Sequence, residues 1–357
     1  MLNYKKKEKI IFLVILLLFL VITIFTFNND FLYKKKIMKI SNIKEIKEEV
    51  VVNSIGIHEK IYTKQISGTI TNGKDKGKKI TLEYEDTFSN VITEKYKKGD
   101  KVFISSNSIV GLKRDCYLII MVEIFILLLL ILGKKRGILT LFTVAVNTII
   151  FYFGIDLYLK GINLLLMCII ISILTTVFSL TIVNGRNKKT LSAVISTLVS
   201  LLVLLIIIII TCKLSKYSGI NFTEINFLTV PYEDVFIAEI LIGGLGAIMD
   251  VAMTIVSAIS EIIEKNPNVS TESLKKSGKA ISTDIMGTMI NVLLFTYLCS
   301  GLDKFVLASR NGFSITNYIT SNLTIEETRF LVGSIGIVLT IPISLYITIK
   351  MFRKGKV

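Results

Sequence analysis

Long apolar runs separated by short basic loops dominate the chain, at roughly 10–27, 117–132, 138–153, 163–183, 190–212, 235–262, 281–299 and 329–349. A hydrocarbon core of ~30 Å needs a run of about this length, so the pattern predicts eight membrane-spanning helices. Between the first and second runs the pattern changes. Residues 28–115 are polar and Lys-rich, with period-two alternation through Ile66-Gly68-Ile70, Ile80-Leu82-Tyr84 and Val102-Ile104. Turn signals at TNGKDKGKK and KKGD separate these runs, which together predict a small β domain. The expected fold is membrane, mainly α: a polytopic bundle with a small extracytoplasmic β domain. Its parts are a cytoplasmic N-terminus and anchor (1–27), the β domain (28–115) and a seven-helix membrane domain (116–357) ending in a cytoplasmic tail.

Composition agrees with a membrane class: 52% of the 357 residues are hydrophobic and the mean hydropathy is +0.67. The net charge of +15 would point to nucleic acid in a soluble chain, but here Lys and Arg cluster beside the spans. The loops on the N-terminal side carry 18 of them, at Lys5, Lys6, Lys7, Lys9, in GKKRG, in NGRNKK, from Lys265 to Lys279 and in KMFRKGKV; the alternate short loops carry 6. Both termini are therefore expected in the cytoplasm and the protein in the plasma membrane. The N-terminal run is longer than a signal-peptide core and ends in TFNND without a small-residue cleavage site, so an uncleaved anchor is expected. The β domain is net basic, a solvated surface or an attraction for anionic lipid or wall polymer.

Cys116, Cys168, Cys212 and Cys299 have no CxxC spacing, and His58 is the only histidine, so neither a disulfide framework nor a metal site is expected. No nucleotide loop or nucleic-acid module is present, and no cofactor is implied. The partners left are the lipid bilayer and a small ion or solute, with a homo-oligomer or a membrane partner protein also open.

Candidate chemistry centres on AEILIGGLGAIMDVAMTIVSAISEI, Ala238–Ile262, where Asp250 stands in the uncharged middle of a span. A mid-membrane carboxylate is costly, from about 2.5 kcal/mol upward, and by default faces a protein interior or a wet cavity. Glu239, Asp250 and Glu261 recur every eleven residues, about three turns, and so share one face. The full stripe reads Glu239, Gly243, Gly246, Asp250, Thr254, Ser257, Glu261, while Ile240, Ile248, Val251, Ile255 and Ile259 lie elsewhere around the helix. Gly243 and Ala247 form a small-xxx-small pair, so a neighbouring backbone is expected close by and Gly246→Leu is expected to crowd the seam. The bland alternative is a packing seam with a structural acid. Ser192, Ser196 and Ser200, with Asn147, Ser172, Thr175, Thr176 and Ser179, read as helix-packing contacts. Glu123 repeats the Asp250 argument more weakly.

The loop EKNPNVSTESLKKSGK predicts a short interfacial helix near 270–276, followed by a span with Asp284, Gly287, Thr288 and Asn291 on one face. Treated as a hairpin at 1.5 Å per residue, the two spans place Asp250 ~18 to 20 Å in, Asn291 ~15 Å and Asp284 ~5 Å. The stripes would then face each other, Asp250 near Asn291 and Asp284 near Glu261.

GGLGAIMDVAMTIVSAISEI at 243–262, SGKAISTDIMGTMINVLLFTY at 277–297 and VNGRNKKT at 183–190 together resemble the YibE/F-like bacterial membrane proteins. The resemblance also covers the order of anchor, outer β domain and seven spans. It implies a multi-pass membrane protein, and an OB-like barrel for the β domain. Ser282-Thr283 stands where the family pattern has Gly-Arg/Lys before Asp.

The leading functional expectation is a transporter or permease in which Asp250, with Asp284 and Glu261, takes up an ion or proton. The alternative is a membrane scaffold acting through the β domain. An intramembrane aspartyl protease is not expected: Ala247-Ile248-Met249 separates Gly246 from Asp250, and Asp284 falls at another depth.

Overall fold

Alternating apolar positions bring five antiparallel strands together in the order β3-β2-β1-β4-β5: β1 (Lys36–Val52), β2 (His58–Ile70), β3 (Lys79–Thr87), β4 (Lys101–Ser105) and β5 (Ser108–Leu112). This computed structural model describes residues 2–52, 56, 58–87, 94–106, 108–220, 222 and 231–353. Met38, Ile40, Ile66, Ile70, Leu82, Val102 and Ile104 fill the core of the sheet. Each such buried side chain contributes about 1.5–3 kcal/mol relative to exposure. The edge strands β3 and β5 approach within 8 Å at their Cα atoms, so the sheet curls toward a barrel, although no ladder joins them among the described pairings. At Gly68 the strands press together: a Cβ there would lie 2.5 Å from the Lys39 carbonyl oxygen, so only glycine fits. In the outer half of β1, which pairs with β2, Ile46, Val50, Val51 and Val52 are exposed.

The sheet belongs to a unit spanning Met1–Gly133, together with α1 (Leu2–Phe27) and the first part of α2 (Asp115–Leu159). A neutral cluster of two acids and two lysines ties these pieces together. The Lys113 side chain is 2% exposed, 3.0 Å from Asp115 and 3.5 Å from Asp30, and donates to the Thr26 carbonyl at 3.1 Å. Lys101 meets Asp30 at 2.7 Å, while Tyr33 and Asn29 donate to Asp115 at 2.7 and 3.0 Å. The hydrogen bond to Asp115, followed by burial, pushes the Tyr33 phenol up to about 12. Between α1 and α2, Thr23 donates to Glu123 at 2.6 Å, which accounts for that carboxylate as a helix-pairing contact.

The second unit, Lys134–Val357, is helical. It holds the rest of α2, then α3 (Leu164–Asn184), α4 (Lys188–Ser215), α5 (Tyr232–Lys265), α6 (Thr271–Ser300), α7 (Leu302–Arg310), α8 (Ile315–Asn322) and α9 (Thr324–Arg353). Asn163, Asn187 and Ser270 cap α3, α4 and α6 by accepting from backbone N–H groups of the first turn. Among the described residues six helices are long and apolar enough to cross a membrane, against the eight expected spans. The 45-residue α2 covers two of those spans, leaving helical geometry at Lys134, and the N-terminal run is the shorter apolar stretch Phe12–Phe27. Instead of a separate interfacial helix near 270–276, α6 runs unbroken from Thr271, because Leu274 and Gly278 are buried against the bundle.

α5 is the hub, packed against α3, α4, α6 and α9. Its Ile240, Ile248, Val251, Ile255 and Ile259 are all 1% exposed or less. Small residues admit the close contacts of α9 and α6. A Cβ at Gly336 would meet Ile248 and Leu204, and one at Gly278 would meet Leu345 at 2.4 Å. Ser192, Ser196 and Ser200 are fully buried on α4, and Ser192 donates to Met351 of α9 at 3.2 Å. Asn147 bonds Ser179 at 2.8 Å. The serine ladder and Asn147 thus act as helix-packing contacts.

Candidate functional site

Because its apolar residues turn inward, α5 presents the opposite stripe on an open face: Glu239, Gly243, Gly246, Asp250, Thr254 and Glu261 are exposed and Ser257 is half-buried. The three carboxylates differ in their partners. Glu239 is ion-paired to Arg329 of α9, which also meets Glu326 at 2.9 Å. Glu261 pairs with Lys265 one turn on, at 2.7 Å. Asp250, between them, has no ion pair or side-chain hydrogen bond among the described residues; its backbone carbonyl accepts from Thr254 at 2.7 Å.

The glycines do not form the close seam expected of them. A Cβ at Gly246 would meet nothing within 4 Å, and one at Gly243 would meet the Tyr297 hydroxyl at 2.6 Å, a side chain rather than a neighbouring backbone. The tight approaches lie on other helices, at Gly278 and Gly336.

The second stripe does not face the first. α6 turns Leu274, Gly278, Ser282 and Leu293 into the bundle, which leaves Asp284, Gly287, Thr288 and Asn291 exposed on its outer side. No side-chain hydrogen bond or ion pair links the two stripes among the described residues. Level can be read from contacts of α5 with α6: Gly243 lies against Tyr297, and Ile259 against Gly278. Counting between these in antiparallel register sets Asp250 beside 288–290 and Asp284 beside Thr254. Asp284 is therefore not near Glu261, because α6 begins ten residues before the expected start of the span.

Above Asp250 the stripe opens into a chamber of about 450 Å³. Phe151, Ile155, Tyr158, Leu164, Met167 and Cys168 form one wall; Val235, Ala238, Glu239, Ile242, Gly243, Tyr297 and Arg329 form the rest. By sequence, Arg329 is one of the six basic residues of the alternate short loops, and Tyr297 carries no signal of its own. The one sequence signal for Arg329 was its i,i+3 spacing from Glu326 at the start of α9.

A β domain followed by a bundle of long apolar helices around a carboxylate-bearing hub defines a multi-pass membrane protein. Family comparison is consistent with this: residues 121–354 match the YibE/F-like protein model and residues 31–113 match the YibE/F family N-terminal domain. The chain belongs to the YibE/F-like family. No curated protein and no solved structure matches it.

Proposed function

We propose that the protein is a transporter or permease of the plasma membrane in which the open face of α5 lines the path and Asp250 is the group that exchanges an ion or proton. The observation that carries this reading is the pattern of partners along the stripe. The outer and inner carboxylates, Glu239 and Glu261, are each held by a cation, whereas the central Asp250 is left without one. An acid on a span without a counter-charge is costly and by default faces a protein interior or a wet cavity, and Asp250 lies on the exposed face of α5. The excess of Lys and Arg on one side supports cytoplasmic termini and an outer β domain.

The test is proton or cation flux in proteoliposomes at equal protein level. Asp250→Asn keeps the size and hydrogen-bonding capacity of the side chain and removes its charge, so it should insert and fold but lose coupled flux. Unchanged flux would refute the assigned role. One observation favours the scaffold reading: the uncovered polar face of α6 offers a surface for another membrane helix. Absence of flux together with capture of a membrane partner would support it.

A further inference from the structure

We propose that the groove between α3 and α4 at the NGRNKK turn is a binding site for the phosphate group of an anionic phospholipid. The site is separate from the α5 stripe and gives a role to VNGRNKKT at 183–190, which the transport reading leaves unused.

The groove has a volume of about 440 Å³ and two unlike ends. At the turn it is lined by Arg186 and Lys188, and further along the helices by Val177 of α3 and Leu191 and Val194 of α4. No carboxylate lines it, so the lining carries two uncancelled positive charges, and neither cation has an ion pair among the described residues. An anion is therefore the ligand that this lining balances, and the ammonium of a zwitterionic head finds no acid there to pair with. The apolar end selects a lipid over a free phosphate ester. Val177 and Leu191 are exposed on apolar helices, so an acyl chain can lie against them while its phosphate reaches the cations.

The turn itself holds the two cations in place. α3 ends at Gly185, whose φ of +76° suits glycine, and the Gly185 N–H donates to the Thr181 carbonyl at 2.9 Å. Asn187 then donates to the Asn184 carbonyl at 2.9 Å and accepts from the Thr190 amide at 2.7 Å. With that amide taken, the charge offered to a ligand is that of the two side chains and not of the helix end. Lys189, the third cation of the turn, lies outside the lining.

The test is native mass spectrometry of the delipidated full chain in nonionic detergent, titrated with dioleoyl phosphatidylglycerol, dioleoyl phosphatidylcholine or glycerol 1-phosphate. One phosphatidylglycerol should bind well before further copies, with no such first site for phosphatidylcholine. Arg186→Gln combined with Lys188→Gln should weaken that site about thirtyfold, the loss of two basic contacts. Lys275→Gln combined with Lys276→Gln removes the same charge from the exposed start of α6 and should weaken it less than about threefold. Leu191→Trp should remove the first site by filling the groove without altering its charge. Equal binding of the two lipids, equal losses from the two double substitutions, or wild-type binding by Leu191→Trp would overturn the inference. Displacement of phosphatidylglycerol by an equal concentration of glycerol 1-phosphate would overturn it as well, since the groove would then take a free phosphate ester.

Discussion

Replacing Lys113 by methionine keeps the length of the side chain and removes one buried charge from the cluster below the sheet. The ammonium it removes lies 3.0 Å from Asp115, 3.5 Å from Asp30, 3.1 Å from the Thr26 carbonyl and 5.5 Å from the centre of the Tyr33 ring. Breaking a buried ionic group by deleting one partner costs about 3–5 kcal/mol, because the other partner is left uncompensated. Here the lower end applies, since Asp115 keeps Tyr33 and Asn29 as donors and Asp30 keeps Lys101. A loss of about 3 kcal/mol in a unit of this size lowers the midpoint by about 10 °C. The chain has no Trp, so the melt is best followed by a thiol-reactive dye at Cys116, which is buried next to the cluster, with the other three cysteines replaced by alanine. Lys60→Met is the control: its partner Glu48 and Lys60 itself are both exposed, so the change should barely move the melt. A Lys113→Met melt indistinguishable from that of Lys60→Met would refute the view that the cluster holds the anchor to the β domain.

Two further outcomes follow from contacts already given. Gly278→Leu should destabilise the bundle, because even a Cβ there lies 2.4 Å from Leu345, whereas Gly246→Leu should leave the melt unchanged, since its Cβ faces open space; the reverse order would show that the α5 glycines are the packing seam after all. In an alkaline titration followed by phenolate absorbance, Tyr33 and Tyr84 should ionise last, each near 12. The Asp115 hydrogen bond raises Tyr33, and burial followed by the nearby Asp86 raises Tyr84. Both values lie above the ordinary 10.0, so the stability that these phenols contribute is complete below pH 10 and is lost as pH rises through about 12. Substituting either tyrosine by phenylalanine should remove its late-titrating component.

Where one period governs a segment, the sequence told the outcome. The five α5 residues read as lying away from the stripe are all buried to 1% or less, and the alternating runs at 66–70, 80–84 and 102–104 are parts of β2, β3 and β4. The outer half of β1 was illegible because both its faces are exposed there, so KEIKEEVVV has no inward set of apolar positions to betray it. Lys275, Lys276 and Lys279 read as part of a basic loop with a short interfacial helix, yet Leu274 and Gly278 on the same turns are buried and carry the helix through. Composition shows where glycines lie but not what faces them, so the open position of Gly246 and the Tyr297 contact of Gly243 needed the fold. The pairing of Glu239 with Arg329 joins residues ninety positions apart on different helices, beyond the reach of any local pattern.

The central claim is that the open face of α5 is wet inside the membrane rather than buried in lipid. With the native cysteines removed, single cysteines at Gly246, Thr254 and Ile248 in proteoliposomes should separate under a membrane-impermeant, charged thiol reagent. The account predicts rapid reaction at Gly246→Cys and Thr254→Cys, both on the exposed stripe, and none at Ile248→Cys, which is fully buried. Reaction of the two stripe cysteines only with a lipid-soluble reagent would contradict it.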